Sequence, residues 1–143
     1  MFIGEYNHTL DDKGRVIMPV IFRQELGQTF YITKGFDNCL FVFDEAEWEK
    51  FGRKLEKSSM QKKNYRRLQR TFIASANKCS FDKQGRFLIS NPLREYAFLK
   101  KELVIIGVSN RIEIWSKEKW IAYNEDEDFD LTELAEELDE IEL

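Results

Sequence analysis

Asp11-Asp12-Lys13-Gly14-Arg15-Val16-Ile17-Met18-Pro19 and Asp82-Lys83-Gln84-Gly85-Arg86-Phe87-Leu88-Ile89-Ser90 carry one pattern twice. Each copy is an Asp, three residues ending in Gly, an Arg and a short apolar run, and the copies lie 71 positions apart. Asp is a strong turn residue, and Gly accepts the positive φ that tight turns demand. Thr9-Leu10 leads into the first motif and Arg15-Val16-Ile17-Met18 leads out of it. The arrangement predicts a strand, a Gly-containing turn and a second strand, the signature of a hairpin. Residues 77–81 and 87–89 frame the second motif in the same way.

The agreement extends outward from the motifs. Pro19 suits the first turn of a helix, and Val20–Leu26 closes on Gly27. Strands are predicted at Thr29–Lys34 and 39–43, with a turn at Gly35-Phe36-Asp37-Asn38 between them. Asp44 followed by Glu47 reads as a capping box, and Trp48, Phe51 and Leu55 fall on one helical face. In the second half, Pro92 opens a short helix whose residues 93–96 match 22–25, and 103–106 match 31–34. Gly107 matches Gly35, Asn110 matches Asn38, and Trp120 matches Trp48, now at an offset of 72. One inserted residue accounts for the drift. The chain reads as a tandem duplication of strand–turn–strand–helix–strand–strand–helix, an α+β protein. The aromatic stripes at Trp48/Phe51 and Trp115/Trp120 repeat at helical spacing and read as core rather than base-stacking surface.

Four segments result. Residues 1–57 are the first repeat, 58–76 a linking basic amphipathic helix, 77–124 the second repeat and 125–143 an acidic tail or helix. The linking helix is predicted over about 60–74. Tyr65, Leu68 and Phe72 line its apolar side, and Lys62, Arg66 and Arg70 its basic side, widened by Lys63 and Arg67. In the tail, Leu131, Leu134, Leu138 and Ile141 recur at helical spacing, with Asp130 and Glu133 placed to cap the start.

Composition bounds the function. The 143 residues suffice for one domain or two small halves sharing a core, and 43% are apolar. No stretch approaches a membrane span and no targeting segment is visible. Cys39, Cys79 and the single His8 form no metal-ligand spacing, and the cysteines read as reduced strand thiols. There is no phosphate-binding or dinucleotide-binding Gly-rich loop, so an enzyme is the weakest reading. The net charge of −4 hides an asymmetry. Residues 51–86 carry 11 Lys/Arg against Glu56 and Asp82, a net of +9, whereas 124–143 carry 11 Asp/Glu and no base. The middle is a candidate anion-binding surface.

A duplicated D-x-x-G-R motif, each copy followed by a short helix and a strand pair, resembles the MraZ family over about residues 1–125. The resemblance implies a double-split, swapped-hairpin AbrB-like β-barrel with peripheral helices. It implies a homo-oligomeric ring that regulates transcription by binding repeated double-stranded DNA sites upstream of its own division and cell-wall gene cluster. It also implies a cytoplasmic, nucleoid-associated protein with no cofactor, no small-molecule substrate and no membrane partner. The motif positions carry over onto Asp11 and Arg15, and onto Asp82 and Arg86.

Turn architecture alone explains an isolated D-x-x-G-R, with the Arg simply paired to the Asp. The resemblance shifts the balance to a DNA contact. Arg15 and Arg86 offer planar, bidentate donors for guanine or phosphate. Lys13 and Lys83 add phosphate contacts, which position without specifying. Asp11 and Asp82 would repel DNA, so their expected task is to brace the Arg, with Gly14 and Gly85 shaping the tip. The basic helix is either a solvated face, a second phosphate surface, or a partner for a neighbouring subunit or for the chain's own acidic tail. The competing reading from another class is an oligomeric protein-interaction scaffold without specific DNA binding.

Overall fold

Central strands buried on both sides build one six-stranded sheet with two apolar faces. The computed structural model describes residues 1–138 and 140. The first half comprises β1 (Phe2–Thr9), β2 (Arg15–Ile17), α1 (Val20–Leu26), β3 (Thr29–Lys34), β4 (Leu40–Asp44) and α2 (Glu45–Glu56). After α3 (Lys63–Ala74) the same order returns as β5 (Asn77–Ser80), β6 (Arg86–Leu88), α4 (Asn91–Tyr96), β7 (Glu102–Ser109), β8 (Arg111–Ser116) and α5 (Lys117–Asn124). A last helix, α6, spans Leu131–Glu137. No helix among the described residues is long and apolar enough to cross a membrane.

The main sheet is antiparallel and open, in the order β1-β7-β8-β4-β3-β5. Exchanging each strand for its counterpart in the other half reads the order backwards, so the β4–β8 pairing lies on a pseudo-two-fold axis. Leu40, Val42, Ile112 and Ile114 point to one face; Phe41, Phe43 and Trp115 point to the other. The first face forms a core with Met18, Phe22, Phe30, Phe87, Ile89 and Leu93. The second is covered by Trp48, Phe51, Phe72 and Trp120 from the longer helices. This is the layered solution open to a sheet with two apolar faces.

The hairpin expectation requires correction. Within each motif the incoming and outgoing arms share only the turn bonds. β1 pairs along its whole length with β7, while β2 pairs with β6 in a separate two-stranded ribbon, Val16 opposite Phe87. Each half thus gives its first strand to the other half's third strand. The reason is burial: Val16 and Phe87 are 1% and 2% exposed, and only the ribbon pairing places both over the first core.

Other boundaries shift modestly. The linking helix begins at Lys63 rather than near 60, and no side chain caps its start. Of its expected apolar stripe only Phe72 is buried; Tyr65 and Leu68 are exposed. Gly107 is not a turn residue like Gly35. β7 continues to Ser109 because β1 offers eight residues of pairing, and the turn falls at Ser109, with φ 65°. The acidic tail is helical at Leu131–Glu137, with Asp130 accepting from the Thr132 and Glu133 amides. Leu131, Leu134 and Leu138 lie exposed; Ile141 is outside the described residues.

Candidate functional site

The two D-x-x-G-R turns close identically, and their chemistry explains the spacing. Asp11 Oδ1 accepts from the Lys13 and Arg15 amides at 2.9 and 2.8 Å. Asp82 Oδ1 accepts from the Gln84 and Arg86 amides, both at 2.9 Å. The Gly14 amide returns to the Asp11 carbonyl and the Gly85 amide to the Asp82 carbonyl, each at 3.0 Å. Gly14 and Gly85 adopt φ of 82° and 77°, a conformation that Cβ-bearing residues rarely take. The fifth residue then stands beside the first. Arg15 Nε donates to Asp11 Oδ2 and Arg86 Nε to Asp82 Oδ2, both at 2.8 Å.

This bond uses one edge of each guanidinium. Among the described residues, no hydrogen bond is found to the terminal nitrogens of either arginine, so each fork is oriented and unspent. The Arg15 amide, then the Arg15 side chain and the Lys13 amide, hold the Asp11 carboxyl below the usual carboxylate range. The Arg86 amide and side chain and the Gln84 amide do the same for Asp82. The bracing carboxylates therefore stay ionised at neutral pH. Lys13 and Lys83 are exposed on the turns.

The ribbon brings the two arginines together. Arg15 pairs across from Leu88, and Arg86 across from Ile17. Residues directly opposite in an antiparallel pair share a face. Val16 and Phe87 point into the core, so Arg15, Ile17, Arg86 and Leu88 all face outward. Ile17 and Leu88 are 45% and 57% exposed, two aliphatic side chains set between two arginines. In the sequence the two tips lie 71 residues apart, and nothing local joins them or marks these aliphatics beyond an apolar residue two after each Arg.

Each turn is also gripped by the other half. The Met18 amide donates to the Gly85 carbonyl at 3.3 Å and the Ile89 amide to the Gly14 carbonyl at 2.9 Å. Arg23 of α1 lies against Gly85, and Arg94 of α4 against Gly14, so closely that a Cβ on either glycine would collide with the guanidinium. Arg23 and Arg94 were visible in the sequence as matching positions of the two short helices, yet nothing local connected them with the turns.

Of the basic face of α3, Arg70 lines a cleft with Ser90 and Pro92, just past β6. The buried residue of α3, Phe72, belongs to the core on the opposite face of the sheet from Val16 and Phe87. The acidic helix α6, with its leucines exposed, is not packed into either core.

Comparison with known proteins adds an independent finding. The family model MraZ, described as an antitoxin-like MraZ protein, matches residues 1–71 and again 72–141. A protein of Finegoldia magna named "Transcriptional regulator MraZ" is 51% identical over 143 residues, all of both chains. Proteins of the same name from Caldanaerobacter subterraneus subsp. tengcongensis and Clostridium acetobutylicum are 50% and 51% identical. The matches cover 97% of each chain in the first case and 99% in the second.

Proposed function

The chain belongs to the MraZ family, and from that premise we propose that it is a sequence-specific DNA-binding transcriptional regulator without catalytic activity. The observation that carries the reading is the β2–β6 ribbon, with Arg15 and Arg86 braced on one outward face. A two-stranded ribbon is narrow enough to enter the DNA major groove. Arg15 and Arg86 sit diagonally across the ribbon, about 7–8 Å apart, roughly two base-pair rises, so the two forks can address base pairs two steps apart. Arg15 and Arg86 are the proposed base or phosphate contacts. Ile17 and Leu88 are placed to meet thymine methyl groups. Lys13 and Lys83 supply phosphate contacts, and Asp11, Asp82, Gly14 and Gly85 shape and brace the turns.

The finer architecture belongs to the same proposal. Strand exchange between halves is the feature expected of a swapped-hairpin, AbrB-like double-split barrel, here with an open main sheet. The segments 1–57, 58–76, 77–124 and 125–143 are then units of sequence rather than of folding. One ribbon makes few phosphate contacts and would bind weakly at physiological salt. A homo-oligomeric ring carrying many ribbons gains affinity through effective concentration on repeated sites. On this reading the protein acts in the cytoplasm on the nucleoid, at repeats upstream of its own gene. Nuclease protection of that DNA tests it. The expected result is protected segments recurring about one helical turn apart. Absence of any protected segment at low salt, with salt-insensitive self-association intact, would favour an interaction scaffold instead.

A further inference from the structure

The two gripped turns open onto two clefts that are equivalent by position and unlike in chemistry. One, of about 480 Å³, lies between the Asp82–Gly85 turn and α1. The other, of about 440 Å³, lies between the Asp11–Gly14 turn and α4. Each holds one arginine against the turn glycine. Around Arg94 the sequence supplies Asn91, Glu95 and Asp12. Arg94 donates to Asn91 Oδ1 at 3.4 Å, and Asn91 donates to Glu95 at 3.1 Å. At the corresponding places around Arg23 stand Val20, Gln24 and Lys83. The local acceptor and both acids are gone, while each cleft keeps two cations, Arg23 and Lys83 here and Arg94 and Lys100 in the counterpart. Arg23 Nε is buried without a hydrogen-bond partner, and no ion pair to Arg23 is found among the described residues. The one carboxylate in this cleft, Asp82, is already engaged by Arg86 and two amides.

We infer that the cleft formed by Arg23, Gln24, Gln28, Lys83 and the Gly85 turn is a phosphate-binding site, and that its counterpart at Gly14 is not. Two cations with two amide side chains, and no free acid, suit a phosphate oxyanion. Asp12 and Glu95 would repel the same ligand from the other cleft. Resting on the DNA-binding reading, the source is a backbone phosphate flanking the ribbon. The two ends of a pseudo-symmetric reading head would then differ in affinity, giving the protein a polarity on DNA.

Two measurements on the full chain test this. The first is titration with inorganic phosphate at constant ionic strength, followed on the amide resonances of glycine-labelled protein, which has only 7 glycines. Gly85 is expected to shift saturably and Gly14 not to. Arg23→Gln should abolish the shift, as should Lys83→Asp, which installs the residue type already tolerated at position 12. The second is the salt dependence of DNA binding. Arg23→Gln should flatten the slope of log K against log salt by about 0.9 for each protomer engaged. It should weaken all sequences alike, whereas loss of mere turn support would alter affinity without altering the slope. A Gly85 shift with an unchanged DNA slope keeps the site and assigns it to free phosphate. A flattened slope without a shift keeps it and assigns it to DNA alone. Wild-type protein that binds no DNA removes the proposed function, and the phosphate titration then decides the site by itself. Equal shifts at both glycines, or no shift with an unchanged slope, overturn the inference.

Discussion

At Gly85 one added methyl group meets two obstacles. The backbone φ of 77° disfavours any Cβ, and Arg23 Cζ lies 2.6 Å from where that Cβ would sit. Gly85→Ala should therefore destabilise the protein by about 1–3 kcal/mol, the usual range for a residue forced into sparsely populated backbone space. Chemical denaturation checks it, and Gly14→Ala should behave alike. At the same scale, Asp11 and Asp82 have carboxyls held below their ordinary values by amides and arginines of their own turns. A folded pKa below the unfolded one gives stabilisation that is complete above the ordinary Asp value of about 3.9 and fades as pH falls through the folded value. Carboxyl-carbon titration should place both midpoints below 3.9. A midpoint at or above it for either residue would show that the bracing bonds are not kept in solution.

At the scale of elements, Phe87 is where the ribbon enters the core, stacking edge-on against Phe30 and Phe81. Phe87→Ala should cost about 3–5 kcal/mol, the range for a large aromatic removed from a packed core. It should also loosen the Arg15 face, because Val16 pairs with Phe87. The acidic end acts differently. Removing 125–143 takes the net charge from −4 to +7, so deletion should tighten DNA binding at low salt and have little effect at high salt. Unchanged binding at low salt would show that the tail plays no electrostatic part. Much of this level was legible in the sequence. The D-x-x-G-R turns, α1 with Gly27, the Asp44 cap and the strand pair after each short helix all rest on local rules. The pairing of β2 with β6 was not legible. Alternation states which face of a strand is buried, and in a duplicated chain two strands with the same pattern are equally good partners. For the same reason Arg23 and Arg94 looked like ordinary helix residues, since their contacts cross from one half to the other.

At the scale of the molecule, that interleaving ties the halves into one unit. β1 is held by β7, β5 by β3 and β2 by β6, so neither half closes its own sheet. Heat or denaturant should unfold the chain in one transition. Trp48 reports on the first half, and Trp115 and Trp120 on the second. Within each single-tryptophan variant the fluorescence and far-ultraviolet circular-dichroism midpoints should coincide, while a fragment ending at residue 76 should lack a cooperative transition. Separate midpoints would mean that the halves fold independently. The central claim is that the paired arginines on the ribbon read DNA, and the most direct measurement is the affinity of Arg15→Ala/Arg86→Ala for the DNA upstream of the protein's own gene. Each well-placed arginine contact contributes about 1–3 kcal/mol, so the double variant should bind at least roughly 30-fold more weakly while still unfolding in one cooperative transition. A folded double variant that binds as tightly as the wild type, with the same salt dependence, would contradict the account.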